Sequence, residues 1–209
     1  MPAPAGRPAR EILRDLLRDH GRTYAEEAGA AVRDTPAPLY RLLVLTVLCS
    51  VRIRADLAVA AARELSAAGL GSARAMAGSA WQERVDALGR AHYRRYDEST
   101  ATALGDGARL VLDRWHGDLR RLRAEAERDP ARIRELLQEV PRIGPVGAEI
   151  FCREAQGVWP ELRPVFGERA LRAAHALGLP GDPGRLAALV EPADLPRLSA
   201  ALVRTDLAR

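Results

Sequence analysis

Apolar residues recur along most of this chain at intervals of three and four, and no stretch shows the sustained alternation of a half-buried strand. Residues 10–20 and 24–33 read as two short amphipathic helices. A proline-containing break, DTPAP, then leads into LYRLLVLTVLCSV, thirteen residues without turn punctuation. Its β-branched content would allow a buried strand, but its length suits a central helix buried on all sides. Further on, Leu104, Ala108, Val111 and Trp115 fall at i, i+4, i+7 and i+11, predicting a long helix with an Arg/Asp outer face. Asp129 followed by Pro130 is an N-cap with proline at the first helical position, and Ile133, Leu136, Leu137 and Val140 supply the stripe behind it. That helix stops at Pro141, and the next is expected from near Gly147 to Gln156, with Gly157 as its C-terminal signal. Asp182-Pro183 opens another helix, and residues 194–207 form the last, with Leu195, Leu198 and Leu202 on one face.

Composition narrows the class. Apolar residues make up 47% and aromatics only 4%, so the core must be Leu, Val and Ala packed helix on helix. The fold class expected is all-α, and 209 residues suffice for two small lobes without disulfide or metal. Net charge +4 and a pI near 9.6 fit a polyanionic partner, although 28 acidic residues interleave with the basic ones and exclude a histone-like tail. All 32 basic residues are arginine, and the chain has neither lysine nor asparagine, so no lysine can form a Schiff base or cradle a nucleotide phosphate.

Cys49 and Cys152, the only cysteines, sit in apolar runs and read as small buried hydrophobes. Their number excludes disulfide, zinc and iron–sulfur frameworks. His20, His92, His116 and His175 share no spacing with carboxylates or cysteines that would suggest a metal site. The amino-terminal MPAPAGRPAR lacks an apolar signal region, and no apolar run reaches bilayer length. A reducing, cytoplasmic location is the expectation.

The stretch VPRIGPVGAEIF carries the most chemistry. Two helices joined by Pro-x-Ile-Gly-Pro-x-Gly form a turn too tight for side chains, so backbone N–H groups project where the second helix begins. Unpaired donors and the positive end of the helix dipole make that point a phosphate seat indifferent to base sequence. Taken alone, the motif is equally compatible with a loop punctuated by proline and glycine.

Its surroundings add weight, because residues 41–179 resemble the helix-hairpin-helix DNA glycosylases of the endonuclease III superfamily. The family hairpin LPGVGRKTA is echoed by VPRIGPVGA, with Pro141, Ile143, Gly144 and Ala148 in register. LTVLCSVRIRAD resembles the helix-and-loop LLLSAQATD, placing Ser50 on its serine and Arg52 on its glutamine. FGERALRAAHALGLP resembles VDTHVxRVxxRLGLP, with Arg172, Leu177, Gly178 and Leu179 aligned.

The resemblance implies two helical lobes with a cleft between them. A six-helix lobe would span residues 38–148, and residues 1–37 would join residues 149–209 in the other. It also implies a monomer in the bacterial cytoplasm, associated with the nucleoid and not with membrane. Its partner would be double-stranded DNA, damaged or mismatched, held while one nucleotide is turned out of the stack. Carried over residue by residue, the DNA contacts fall on Arg142, Ile143, Gly144, Val146 and Gly147, with Arg52 and Arg54 on the probing loop. An arginine on that loop could enter the gap left by the everted nucleotide, contact phosphate, or be an ordinary solvated surface group.

Departures from the family bear on catalysis. The family's aspartate, which stabilises positive charge building on the sugar, falls on Gly167. Its lysine nucleophile falls on Val146, leaving only the amino-terminal amine or another unusual nucleophile for strand cleavage. Glu168 is the one candidate catalytic residue, although one step along a helix turns a side chain by about 100°. Its bland role is a helix-start carboxylate meeting the dipole. Glu149 would repel phosphates and fits helix-start stabilisation or an arginine pair better. Asp97 and Glu98 suit helix capping.

No cysteine follows Cys152, so the family's iron–sulfur loop is missing and no cofactor is expected. Arg142 replaces the hairpin's first glycine, incurring strain if the backbone there needs positive φ. In YRRY, residues 93–96, the tyrosines could stack on bases or pack on the core from one helix face. Trp81, Trp115 and Trp159 read as lobe-packing residues. Three functions remain open: a monofunctional, hydrolytic glycosylase; a catalytically silent binder of distorted DNA that senses damage or recruits partners; and a helical interaction module without DNA binding.

Overall fold

The computed structural model describes residues 8–208, and these form helices without any strand. The first residues of the Pro/Ala-rich lead and the terminal amine lie outside the described residues. In chain order the helices are α1 (Ala9–His20), α2 (Tyr24–Glu27), α3 (Pro36–Cys49), α4 (Ala55–Ala67), α5 (Ala73–Gly78), α6 (Trp81–Arg90) and α7 (Asp97–Trp115). Then follow α8 (Leu119–Glu125), α9 (Pro130–Leu137), α10 (Pro145–Ala155), α11 (Glu168–Ala176), α12 (Pro183–Ala187) and α13 (Leu195–Leu207).

They group into two compact units. The larger is Tyr24–Glu154; the smaller joins the described parts of Met1–Thr23 and Ala155–Arg209. From sequence the divisions were expected after residues 37 and 148. Instead α2 packs on α4, and the Ala25 amide donates to the buried Glu154 carboxylate (3.3 Å), which keeps this segment with the larger unit. The helix expected over residues 24–33 is only one turn, ended by Gly29 at φ 74°.

At the centre of the larger unit is α3, which touches α4, α7 and α8. Thr35 in an extended conformation and Pro36 at the first turn start it, and Leu39, Leu42, Leu45 and Leu48 are wholly buried. Burial on all sides is what a helix without a polar face requires. The expected stripe of α7 is buried in full, from Leu104 to Trp115. Arg84 fastens α6 to α7: its buried guanidinium donates to the carbonyls of Ala101 (2.8 Å) and Ser79 (2.8 Å). Burial lowers its pKa from the usual value. Gly105 makes room, since a Cβ there would lie 2.8 Å from Arg84 Nη2.

In the smaller unit α13 packs against α1 and α11, with Leu195, Leu198 and Leu202 buried. The approach to α11 is held by Gln156, whose side-chain amide both donates to the Val165 carbonyl and accepts from the Val165 amide (2.9 Å each). Ser199 Oγ donates to the same carbonyl at 3.0 Å.

The left-handed positions carry an unusual set of residues. With no asparagine available, His92 (φ 58°), His116 (52°), Glu127 (51°), Arg128 (62°) and Arg142 (70°) adopt a conformation that L side chains disfavour.

Candidate nucleic-acid interface

The hairpin is assembled from local signals. Asp129 Oδ1 accepts from the Ala131 amide (3.0 Å) with Pro130 behind it, so α9 starts where the sequence predicts. After Leu137 the chain turns through two short bonds, Val140 N to the Leu137 carbonyl (3.1 Å) and Ile143 N to the Val140 carbonyl (3.0 Å). Val140 and Ile143 are buried beneath the turn, as are Ala148, Phe151 and Cys152 along the inner side of α10. Pro145 then opens α10, two residues earlier than expected.

What remains outside is a small tip. Gly144, Pro145 and Val146 are exposed, Val146 to 72%. The amides of Gly144, Val146 and Gly147 donate to no group among the described residues. These donors stand at the positive end of an eleven-residue helix, the arrangement that attracts an anion. Ile143 and Gly147 support the tip from below. A Cβ on Gly147 would lie 2.5 Å from Ser50 Oγ and 3.2 Å from Ile143 Cγ2, so only glycine lets α10 start this close to the end of α3.

The arginines assigned from sequence divide in three ways. Arg52 is exposed and makes no hydrogen bond or ion pair among the described residues. Arg54 is held by its neighbour: Nε donates to Asp56 Oδ1 at 3.0 Å, and Nη2 pairs with Oδ2. Arg142, half-buried with φ 70°, turns to the first residues of α7, with Nη1 donating to Thr100 Oγ1 (3.1 Å) and Nη2 to Ser99 Oγ (2.7 Å). Nothing local in the sequence signals those two hydroxyls, which are more than forty residues away.

Residues 93–96 form a loop and not a helix face. Left-handed His92 ends the preceding turn, and the two tyrosines part company. Tyr93 is fully buried, its hydroxyl donating to the Leu48 carbonyl (3.3 Å), and Tyr96 is half-exposed beneath Arg95, 5.3 Å from its ring centre. Trp115 and Trp159 are buried as expected, but Trp81 is 41% exposed. Its indole donates to Thr102 (3.1 Å) beside an open hollow of about 560 Å³ that Arg94, Arg95 and Tyr96 also line.

Glu168, in the smaller unit, is the first residue of α11, and its side chain is 89% exposed. It pairs with Arg172 at 3.1 Å, one turn along the same helix. Gly167, where the family aspartate would fall, is buried and extended, a helix N-cap with no functional group. Arg172 and Arg169 both reach Asp206 on α13, at 3.0 and 3.2 Å. Hydrogen bonding from Arg172 is the main reason the Asp206 carboxyl is held below the usual carboxylate range.

Burial pushes the Cys49 and Cys152 thiols up to about 12, which leaves them protonated and unreactive near neutrality. No group of three or more His, Cys, Asp or Glu side chains among the described residues could hold a metal ion.

No protein-family model matches the sequence, and no curated protein does either. Solved structures do match. A trapped endonuclease III–DNA covalent intermediate, an estranged-adenine complex, superposes with a TM-score of 0.51 at 15% identity, covering 94% of this chain and 85% of that one. A non-covalent endonuclease III–DNA complex gives 0.51 at 14% identity with the same coverage. The chain therefore has the endonuclease III-like helical fold.

Proposed function

We propose that this protein binds double-stranded DNA through the tip of its hairpin, with damaged or mismatched duplex as its target, and performs no base excision through Glu168. The observation that carries the reading is the exposed turn at residues 144–146, which offers unbonded amides at the start of α10. Such a seat recognises phosphate without reading bases. Arg52 adds an uncommitted cation on the α3–α4 loop. The structural neighbours are complexes with DNA, which supports the same partner for this chain.

Catalysis by the family's route lacks its parts. Glycosidic cleavage needs a carboxylate facing the sugar in a site that limits water. Glu168 is instead solvated and paired with an arginine, and the preceding residue is glycine. No lysine exists to capture the sugar. The geometry therefore favours a silent binder over a monofunctional glycosylase.

The test has two parts. Affinity for a short duplex, measured by fluorescence anisotropy, should fall as salt rises and be greater for a mismatched or lesion-bearing duplex than for a perfect one. Incubation with uracil-, oxidised- and alkylated-base duplexes followed by alkali should give no strand scission. Binding insensitive to salt would remove the phosphate seat, and alkali-labile product would restore the enzyme.

A further inference from the structure

The residue at the hairpin's first turn position is the least expected feature of the site. A left-handed φ favours glycine, yet Arg142 occupies it at 70°. A strained non-glycine residue persists only where its surroundings over-determine it. Here the surroundings are two hydroxyls: Ser99 Oγ at 2.7 Å and Thr100 Oγ1 at 3.1 Å, each taking one arm of the guanidinium.

Neither acceptor is charged, and Arg142 makes no ion pair among the described residues, unlike Arg54 with Asp56 or Arg172 with Asp206. Thr100 is buried at the inner side of this contact, so its hydroxyl is a fixed acceptor. One side of the turn is thus tied to α7, and the other rests on Ser50 through Gly147.

We infer that Arg142 is a positioning residue: its planar fork fastens the hairpin turn to the first turn of α7 and so holds the amides of Gly144, Val146 and Gly147 in a phosphate-binding geometry. A guanidinium suits this task because its donors are fixed in one plane and can span two acceptors, which a single ammonium cannot do with the same geometry. The inference deepens the proposed DNA binding, but the fastening itself can be tested without DNA.

Three variants separate the possibilities. R142K keeps the charge and loses the fork; S99A removes one acceptor on the exposed side; R142Q removes the charge. Hydrogen–deuterium exchange of the Ile143 and Ala148 amides, which donate to the Val140 and Gly144 carbonyls (3.0 and 2.9 Å) and so report opening of the turn, followed residue by residue by NMR, should accelerate by about tenfold in R142K and severalfold in S99A. Duplex affinity should fall in all three. The slope of log affinity against log salt should stay parental in R142Q, because a residue that only holds the turn releases no counterion.

Parental exchange in either R142K or S99A overturns the inference. So does a slope shallower by about one phosphate contact in R142Q, which would make Arg142 a direct ligand. If the parent binds no duplex at all, the proposed function falls, and the exchange rates still decide whether Arg142 fastens the turn.

Discussion

The start of α10 and the start of α11 are the two places where the sequence resemblance puts the DNA seat and the candidate acid, and they differ in what the structure offers. At α10 the contact is made by backbone. Aligned with the hairpin that the sequence resembles, Arg142 falls on a glycine and Val146 on a lysine, yet the tip is exposed and the amides of Gly144, Val146 and Gly147 are unbonded among the described residues. At α11 the contact would be made by one carboxylate. A glycine occupies that position, and the neighbouring Glu168 faces solvent and Arg172. Recognition by amides depends on φ and ψ, which many sequences can satisfy if the turn is braced. Chemistry by a side chain depends on one functional group at one place, and a one-residue shift on a helix turns it away.

The strongest way to break this contrast is to damage the backbone site without touching a charge. Gly147→Ala puts a methyl group 2.5 Å from Ser50 Oγ, so α10 must move off α3 or Ser50 must turn. Overpacking of this kind costs about 1–3 kcal/mol. Thermal melting should fall accordingly, and duplex binding should fall with it. The pairing with Ser50→Ala is the control: deleting the oxygen should recover much of both losses, leaving the 3.2 Å approach to Ile143 as the remainder. A double variant no better than G147A would mean that Ser50 is not what limits the approach.

A smaller and more local effect is expected at Val146. It is 72% exposed, so Val146→Glu should leave the melting temperature nearly unchanged. A carboxylate there would meet the phosphate meant for the amides, and affinity should drop by on the order of tenfold or more, since like charges brought together at an interface are strongly disfavoured. Unchanged anisotropy titrations for this variant would move the DNA contact elsewhere on the molecule.

How far the two sites were legible from sequence follows from the range of their interactions. The α9 cap at Asp129-Pro130, the hairpin and the α3 and α7 stripes are signalled within a few residues, and they stand as expected. Residues 28–33 and 93–96 misled because their apolar spacing fits a helix. The breaks come from left-handed Gly29 and His92, and a histidine in that conformation carries no sequence signal. The brace of Arg142 on Ser99 and Thr100 joins distant segments, so no local pattern could reveal it. Trp81 looked like a core residue by type alone, and its 41% exposure is a tertiary outcome.

The acid side of the contrast can be sharpened by pH. The Asp206 carboxyl is held low by Arg172 and Arg169, so it contributes stability that is fully present above the unfolded carboxylate pKa. That contribution is lost as pH falls through the lower folded value. Melting of the parent should therefore steepen its decline below about pH 4, near the ordinary aspartate pKa. Asp206→Asn should be less stable than the parent at pH 7 and should converge with it in acid. Parallel curves at every pH would mean that the arginines of α11 draw no stability from Asp206.

The smallest effect is expected at Glu168, and it is the most telling. An exposed carboxylate one turn from an arginine contributes little, because water and salt screen the pair and both side chains lose freedom to form it. Glu168→Gln should change the melting temperature by no more than about a degree, leave duplex affinity at the parental value, and alter nothing in the lesion assays. If DNA binding instead drew Glu168 out of its pairing and onto the sugar, the variant would separate from the parent only when a lesion is present. A lesion-dependent product in the parent that E168Q abolishes would show that the α11 start still does chemistry. Recognition and catalysis would then occur together in this chain, and the distinction between a braced backbone and a displaced side chain would not hold for it.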